Sequence, residues 1–223
     1  MRVRAVIVLL GSLLSTPYLA DAQRDSASRS TDRLKWIVPV GVAASAALDP
    51  EAREWALQSQ TRSLDRLARP VNRLGTTQVL APAMAITYVG AVLTDHQSLA
   101  VETLNTAAGF VAADLVESVL KPVVGRERPY AEGNSHRFRP FTANGDWHSF
   151  PSAHVAHITS IAAAISAQAH STRISALTDV LVTLVGWDRV YEDQHWTSDV
   201  TATVVLSSLI SNATVRWLES RQR

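Results

Sequence analysis

Residues 98–129 read SLAVETLNTAAGFVAADLVESVLKPVVGRERP, a long run rich in Ala, Val and Leu that closes on Lys121, Pro122, Gly125, Arg128 and Pro129. The run has helical length, and the residue before a proline is pushed out of helical geometry, so the helix is expected to end after Lys121. Working outward, stretches of the same composition, each of about 15–22 residues, recur on both sides. No hairpin signal separates alternating strands. Helices are predicted near 33–48, 51–69, 76–95, 98–120, 152–170, 173–190 and 196–218. The expected fold is all-α, a bundle of six to seven helices. The one long irregular stretch is 125–150, with three Gly and two Pro. Structureless segments of that length in compact domains are functional or disordered.

Composition narrows the class. A chain of 223 residues has the length of one ordinary domain. Hydrophobic residues reach 47% and charged residues only 18%, enough to bury a full core. There is no cysteine, which excludes disulfides, thiolate metal sites and a Cys nucleophile. The net charge is +1, and no basic run exists to grip a phosphate backbone, so nucleic acid is excluded as a partner.

The N-terminus has the layout of an export signal. Arg2 and Arg4 precede the apolar run Ala5–Leu14, and polar residues follow up to Ala20-Asp21-Ala22. This is a secretory signal peptide over 1–22 with an Ala-x-Ala cleavage site, and the run is too short for a span. Residues 23–32 read as a flexible lead-in, and 33–219 as the helical domain. Leu74–Thr94 carries no charge and has the length of a span. Glu102, Asp114, Glu117 and Asp179 interrupt neighbouring helices, and charges inside a span are costly. Soluble, peripheral and embedded bundles all stay open on this evidence.

Reactive side chains gather in three clusters at predicted helix ends: Lys121 to Pro129, Phe150-Pro151-Ser152-Ala153-His154, and Asp188-Arg189 through His195 to Asp199. Lys121, Arg128 and Arg189 are fixed donors suited to one tetrahedral oxyanion. Ser152 is a natural N-cap, and the Ala153 and His154 amides would then lie at a helix N-terminus, a ready anion site. His195 and Asp199 stand four residues apart on one helical face. A carboxylate there can orient the ring and strengthen its far nitrogen as a nucleophile. His154 adds a second imidazole for general acid work. Each element also has an ordinary reading. Lys121 can simply complement a helix dipole, the His–Asp pair can be a surface pair, and His154 and His157 with His195 and Asp199 can be read as metal ligands. Trp147, Trp187 and Trp196 are expected to pack, and the sequon Asn212-Ala-Thr214 to be chance.

Taken together, these clusters resemble the three-part signature of the type 2 phosphatidic acid phosphatase and vanadium haloperoxidase superfamily. Its pattern is Lys-x6-Arg-Pro, Pro-Ser-Gly-His and Ser-Arg-x5-His-x3-Asp. All spacings hold here, with Ala153 in place of Gly and Asp188 in place of Ser. The resemblance implies helix-end catalysis with no metal or other cofactor, in which His195 is the nucleophile, Asp199 orients it, and His154 protonates the leaving group and then activates water. Lys121, Arg128, Ser152, the Ala153 amide and Arg189 would hold the phosphoryl oxygens. The implied function is an exported phosphatase acting on phosphate monoesters or pyrophosphates, lipid phosphates at a membrane surface foremost, on the periplasmic side of the envelope. Two rivals are a soluble non-specific acid phosphatase acting on small molecules and a haloperoxidase holding vanadate. Asp188 beside Arg189 can repel phosphate, compete for the guanidinium, or point away and cap the helix, and reduced affinity or altered substrate choice is expected rather than loss of activity.

Overall fold

The computed structural model describes residues 28–222, so the expected signal peptide and the first half of the lead-in lie outside the described residues. The long helices are α1 (Ser28–Ala47), α2 (Asp49–Gln58), α3 (Arg62–Leu74), α4 (Thr77–Leu93), α5 (Gln97–Val124), α7 (Ala153–Ala169), α8 (Thr172–Tyr191) and α9 (Thr197–Gln222). The four-residue α6 (Pro129–Glu132) and a 3₁₀ turn at Gly145–Trp147 sit in the long connection. The all-α expectation is borne out.

Its boundaries need four corrections. Helix α1 starts at Ser28, inside the expected lead-in. The expected 51–69 helix is two, because the Thr61 hydroxyl accepts the Leu64 amide and caps a new start. Helix α5 runs through Pro122 to Val124 and stops at Gly125, whose φ of 59° is left-handed, a C-terminal cap that glycine adopts without strain. Pro129 opens α6 rather than only ending a helix, since the first helical position needs no N–H.

Helix α7 forms the axis and packs on α5, α8 and α9. Most of its buried residues are small, among them Ala156, Thr159, Ser160, Ala162, Ala163 and Ala164. Small faces let helix backbones approach closely. At Gly109 a β-carbon would stand 2.5 Å from Ser211 Oγ, and at Gly186 one would stand 2.8 Å from Val200 Cγ1. The apolar centre is Val71, Val155, Ile158, Val182, Val185, Val200 and Val204. Larger apolar residues point outward instead: Leu104, Val111, Leu115 and Val119 form one exposed stripe along α5, and Ile86, Val89 and Leu93 stand exposed on α4. Among the described residues no single helix is long and apolar enough to cross a membrane. Helices α3 and α4 pass that test only as a pair bent by 53°. Asn212 of the sequon is buried within α9.

Candidate active site

The C-terminal end of α5, the start of α7, and the junction of α8 with α9 meet at one end of the bundle, where the connection 125–152 is folded against itself. Arg126 and Phe138 form an isolated antiparallel bridge. Around it the amides of Glu127, Arg139, Arg128 and Ser149 donate to the carbonyls of Arg137, Gly125, Asp146 and Arg126. This connection is an ordered platform, which answers the choice between function and disorder.

His195 is buried, and its Nδ1 lies 2.5 Å from the Ser149 carbonyl oxygen. A carbonyl only accepts, so Nδ1 carries the proton and Nε2 keeps its lone pair. Burial pushes the ring well below the usual imidazole range, and the positive charges of Lys121, Arg128 and Arg189 push it further the same way. The ring is neutral at physiological pH. Asp199 was expected to orient the ring, and the structure shows the route. The carboxylate stands 4.0 Å from Nδ1 and is taken up by other donors. Its Oδ2 accepts from the Ser149 hydroxyl at 2.5 Å and the Trp196 amide at 3.0 Å, and Oδ1 accepts from Arg126 at 2.5 Å. Asp199 therefore reaches His195 through Ser149, whose hydroxyl it holds and whose carbonyl holds the ring.

His154 opens α7 half-buried. Burial and the charges of Arg189, His157, Lys121 and Arg128 push it down to about 4. In the unliganded site the ring therefore lies below the range expected for general acid work. Gly75, at the α3–α4 break, sits against this residue: a β-carbon there would lie 2.7 Å from His154 Cβ.

The cationic residues surround both rings but are already engaged. Lys121 Nζ donates to the carbonyls of Pro151 at 2.7 Å and His148 at 3.2 Å and pairs with Glu117 at 2.9 Å. It thus pins the Ser149–Ser152 segment to α5. Burial lowers its pKa against the pull of Glu117. Arg128 spends Nε on the Gly145 carbonyl and Nη1 on Gln194, leaving Nη2 unused among the described residues. Arg189 spends Nε and Nη2 on Asp188 and Nη2 also on Glu192 at 3.1 Å, leaving Nη1. Ser152 donates its amide to Thr203 Oγ1, while its hydroxyl is buried with no hydrogen-bond partner. A buried hydroxyl left unpaired calls for an explanation, and this one is available to an incoming polar group. The Ala153 and His154 amides belong to the first turn of α7, where no intrahelical acceptor exists.

The metal-ligand reading does not fit. Both His157 nitrogens are engaged: Nδ1 donates to the Gly75 carbonyl at 3.0 Å, and Nε2 lies 2.7 Å from Asp114 Oδ1. Among the described residues no three His, Asp or Glu side chains gather as ligands.

Sequence reasoning missed the brace behind the site. Arg126 is buried and bridges Asp199 to Asp49, its Nη2 lying 2.8 Å from Asp49 Oδ2. Asp49 also accepts from the Ser198 amide and hydroxyl. Arg53 pairs in two places with Asp193, and Asp65 accepts from the Tyr191 hydroxyl. The 33–95 segment thus clamps the α8–α9 junction. Spacing signalled only the Glu117–Lys121 pair, four apart on one helix. Asp49 and Arg126 carry no signal across the distance between them.

A family model described as "PAP2 superfamily" matches residues 102–223. No curated protein sequence matches significantly. Two solved structures share the fold. One is a crystal structure described as the first transmembrane PAP2 type phosphatidylglycerolphosphate phosphatase, from Bacillus subtilis. It is 22% identical with a TM-score of 0.63, over 84% of this chain and 98% of that one. The other is Aquifex aeolicus LpxE, 19% identical with a TM-score of 0.56, over 76% of this chain and 95% of that one.

Proposed function

Because this chain belongs to the PAP2 superfamily, we propose that it is a phosphatase that cleaves phosphate monoesters or pyrophosphates, of lipids foremost, through a phosphohistidine at His195 and without a metal or other cofactor. One observation carries the mechanism: a neutral His195, protonated at Nδ1 toward the Ser149 carbonyl, within the field of three cations. Nε2 attacks phosphorus, a P–N bond forms as the P–O bond breaks, and the leaving oxygen takes a proton from His154. Water, losing its proton to His154, then cleaves the P–N bond. The unused arms of Arg128 and Arg189, the Ser152 hydroxyl and the first amides of α7 stabilise the charge on the equatorial oxygens, which is most of what phosphoryl transfer asks of a protein. Arg189, Lys121 and Arg128 all lower His154. A bound phosphoryl anion offsets that field and raises the ring toward the protonated state that a general acid needs.

The lipid preference and membrane contact rest on the inverted packing. Small and hydroxylated residues fill the helix interfaces, while Leu, Ile and Val face outward on α4 and α5. Close small-residue interfaces suit helices in lipid, and exposed apolar patches of this extent mark interaction surfaces. One of the two solved structures is named for phosphatidylglycerolphosphate, which supports this preference. The same reading has the protein exported to the cell envelope on the signal of residues 1–22.

The test is phosphate release in excess EDTA from phosphatidic acid, phosphatidylglycerol phosphate, a polyprenyl pyrophosphate, a sugar phosphate and p-nitrophenyl phosphate. Activity should survive EDTA, favour the lipids, and fall at least about a thousandfold in His195→Ala. Loss of activity in EDTA, or a His195→Ala variant that still turns over, would sink the mechanism. Equal turnover of sugar phosphates would favour the soluble rival.

A further inference from the structure

Asp188 is the one departure from the family pattern that alters charge in the site. It is fully buried, and its Oδ2 takes two bonds from Arg189, at Nε and Nη2. Its Oδ1 is buried with no hydrogen-bond partner. A proton on Oδ1 would cost that oxygen no existing bond and leave the Arg189 contact in place. We propose that Asp188 and an incoming oxyanion share Arg189, so that the site accepts an oxyanion together with one proton, which Asp188 takes up. The proposal rests on the phosphate-site reading above and deepens it.

The surroundings fit a proton-coupled site. Burial pushes the Asp188 carboxyl up to about 6, against Arg189 and with the help of Glu192. From α3, Asn72 occupies Glu192, and from α2, Arg53 is committed to Asp193. On the α9 side, Asp199 is matched by Arg126. From α5, α7 and the platform, Lys121, His154 and Arg128 share the field of Arg189. Both site histidines lie below their ordinary range, so neither gains or loses a proton around neutrality without ligand. A second negative charge beside Asp188 raises its carboxyl further, and linkage then requires oxyanion affinity to fall as pH rises past 6.

Sulfate is the probe, because it stays a dianion from pH 5 to 8 and is not turned over. Calorimetric titration of the full mature chain should show sulfate affinity weakening about tenfold or more from pH 6 to 8. At pH 7 most of one proton should be taken up per sulfate, read from buffers of different ionisation enthalpy. Asp188→Asn and Asp188→Ser should each show a clearly shallower fall of sulfate affinity over that range and clearly less proton uptake than the wild type, the remainder being the proton that His154 takes up. A wild-type affinity that is flat with pH, or the same slope and uptake in both variants, overturns the inference and leaves the phosphatase reading intact. Absence of any sulfate binding overturns it as well. Failure of the phosphatase reading shows separately, as no phosphate release from any ester by a protein that still binds sulfate.

Discussion

Two aspartates at the same end of the bundle each lie against an arginine, and both are fully buried, yet their surroundings differ. Asp199, at the start of α9, has both oxygens engaged, by Arg126, the Ser149 hydroxyl and the Trp196 amide. Its arginine is engaged as well, with Asp49, Ser198 and the Ser135 carbonyl. Asp188, near the end of α8, has one oxygen on Arg189 and the other on nothing, while Arg189 keeps an arm in reserve. Burial pushes both carboxyls up. At Asp199 the donors pull back from two sides, whereas at Asp188 only Arg189 does. The difference teaches that burial and an ion partner do not by themselves define a role. The number of donors decides whether a buried Asp–Arg pair braces the fold or exchanges a proton.

The largest expected effect breaks the braced pair. Arg126→Met strands two buried carboxylates, Asp49 and Asp199, and should cost about 3–5 kcal/mol of unfolding free energy, read by urea denaturation. Removing the outer carboxylate is milder. Asp49→Asn turns an amide toward Arg126 and should cost about 1–3 kcal/mol in the same measurement, with kcat lowered because Ser198 and Asp199 lose their common anchor. Ser149→Ala removes one hydroxyl bond to Asp199 and leaves the carbonyl on His195, so about 1 kcal/mol of stability should go while kcat changes less than tenfold. A loss near that of His195→Ala would mean that the hydroxyl, not the carbonyl, orients the ring.

The half-satisfied pair responds in the opposite direction. Asp188→Asn should shift stability at pH 7 by less than about 2 kcal/mol, in the stabilising direction, because the wild-type carboxyl prefers its neutral form. The sign with pH follows from proton counting. Asp188 sits near 6 in the fold against 3.8 unfolded. Between those values the native state holds the extra proton, and its contribution to stability falls as pH rises. His154 titrates oppositely, near 4 in the fold against 6.5 unfolded, so its contribution rises with pH. The difference between variant and wild type isolates Asp188. It should grow in favour of Asp188→Asn from pH 4 to pH 6 and level off above, as followed by thermal melts across that range.

How far the site was legible in advance tracks distance along the chain. Residues within a few positions of each other on one helix announce themselves by spacing: Lys121 with Glu117, His195 with Asp199, Ser152 before His154. The motif carried the eight predicted site residues into one neighbourhood. It did not show that Lys121 is bound by the Pro151 carbonyl or that Ser149 intervenes between Asp199 and His195. Those partners lie in a connection whose path depends on bonds between its own distant backbone groups. The Asp49–Arg126 and Gly75–His154 contacts join separate helices, and no local pattern encodes such meetings.

What the sequence alone determined is what depends on composition and local period: an all-helical chain, no cysteine chemistry, the family, and the residues that share one end of the bundle. Tertiary structure decided the rest. It set which helix breaks at Thr61, which carbonyl fixes the His195 tautomer, and why the 33–95 segment is needed. It also separated two Asp–Arg pairs that look alike in one dimension. The physical reason is that helix formation follows from neighbours a few residues apart, whereas the protonation and reach of a buried charge follow from every group that surrounds it in space.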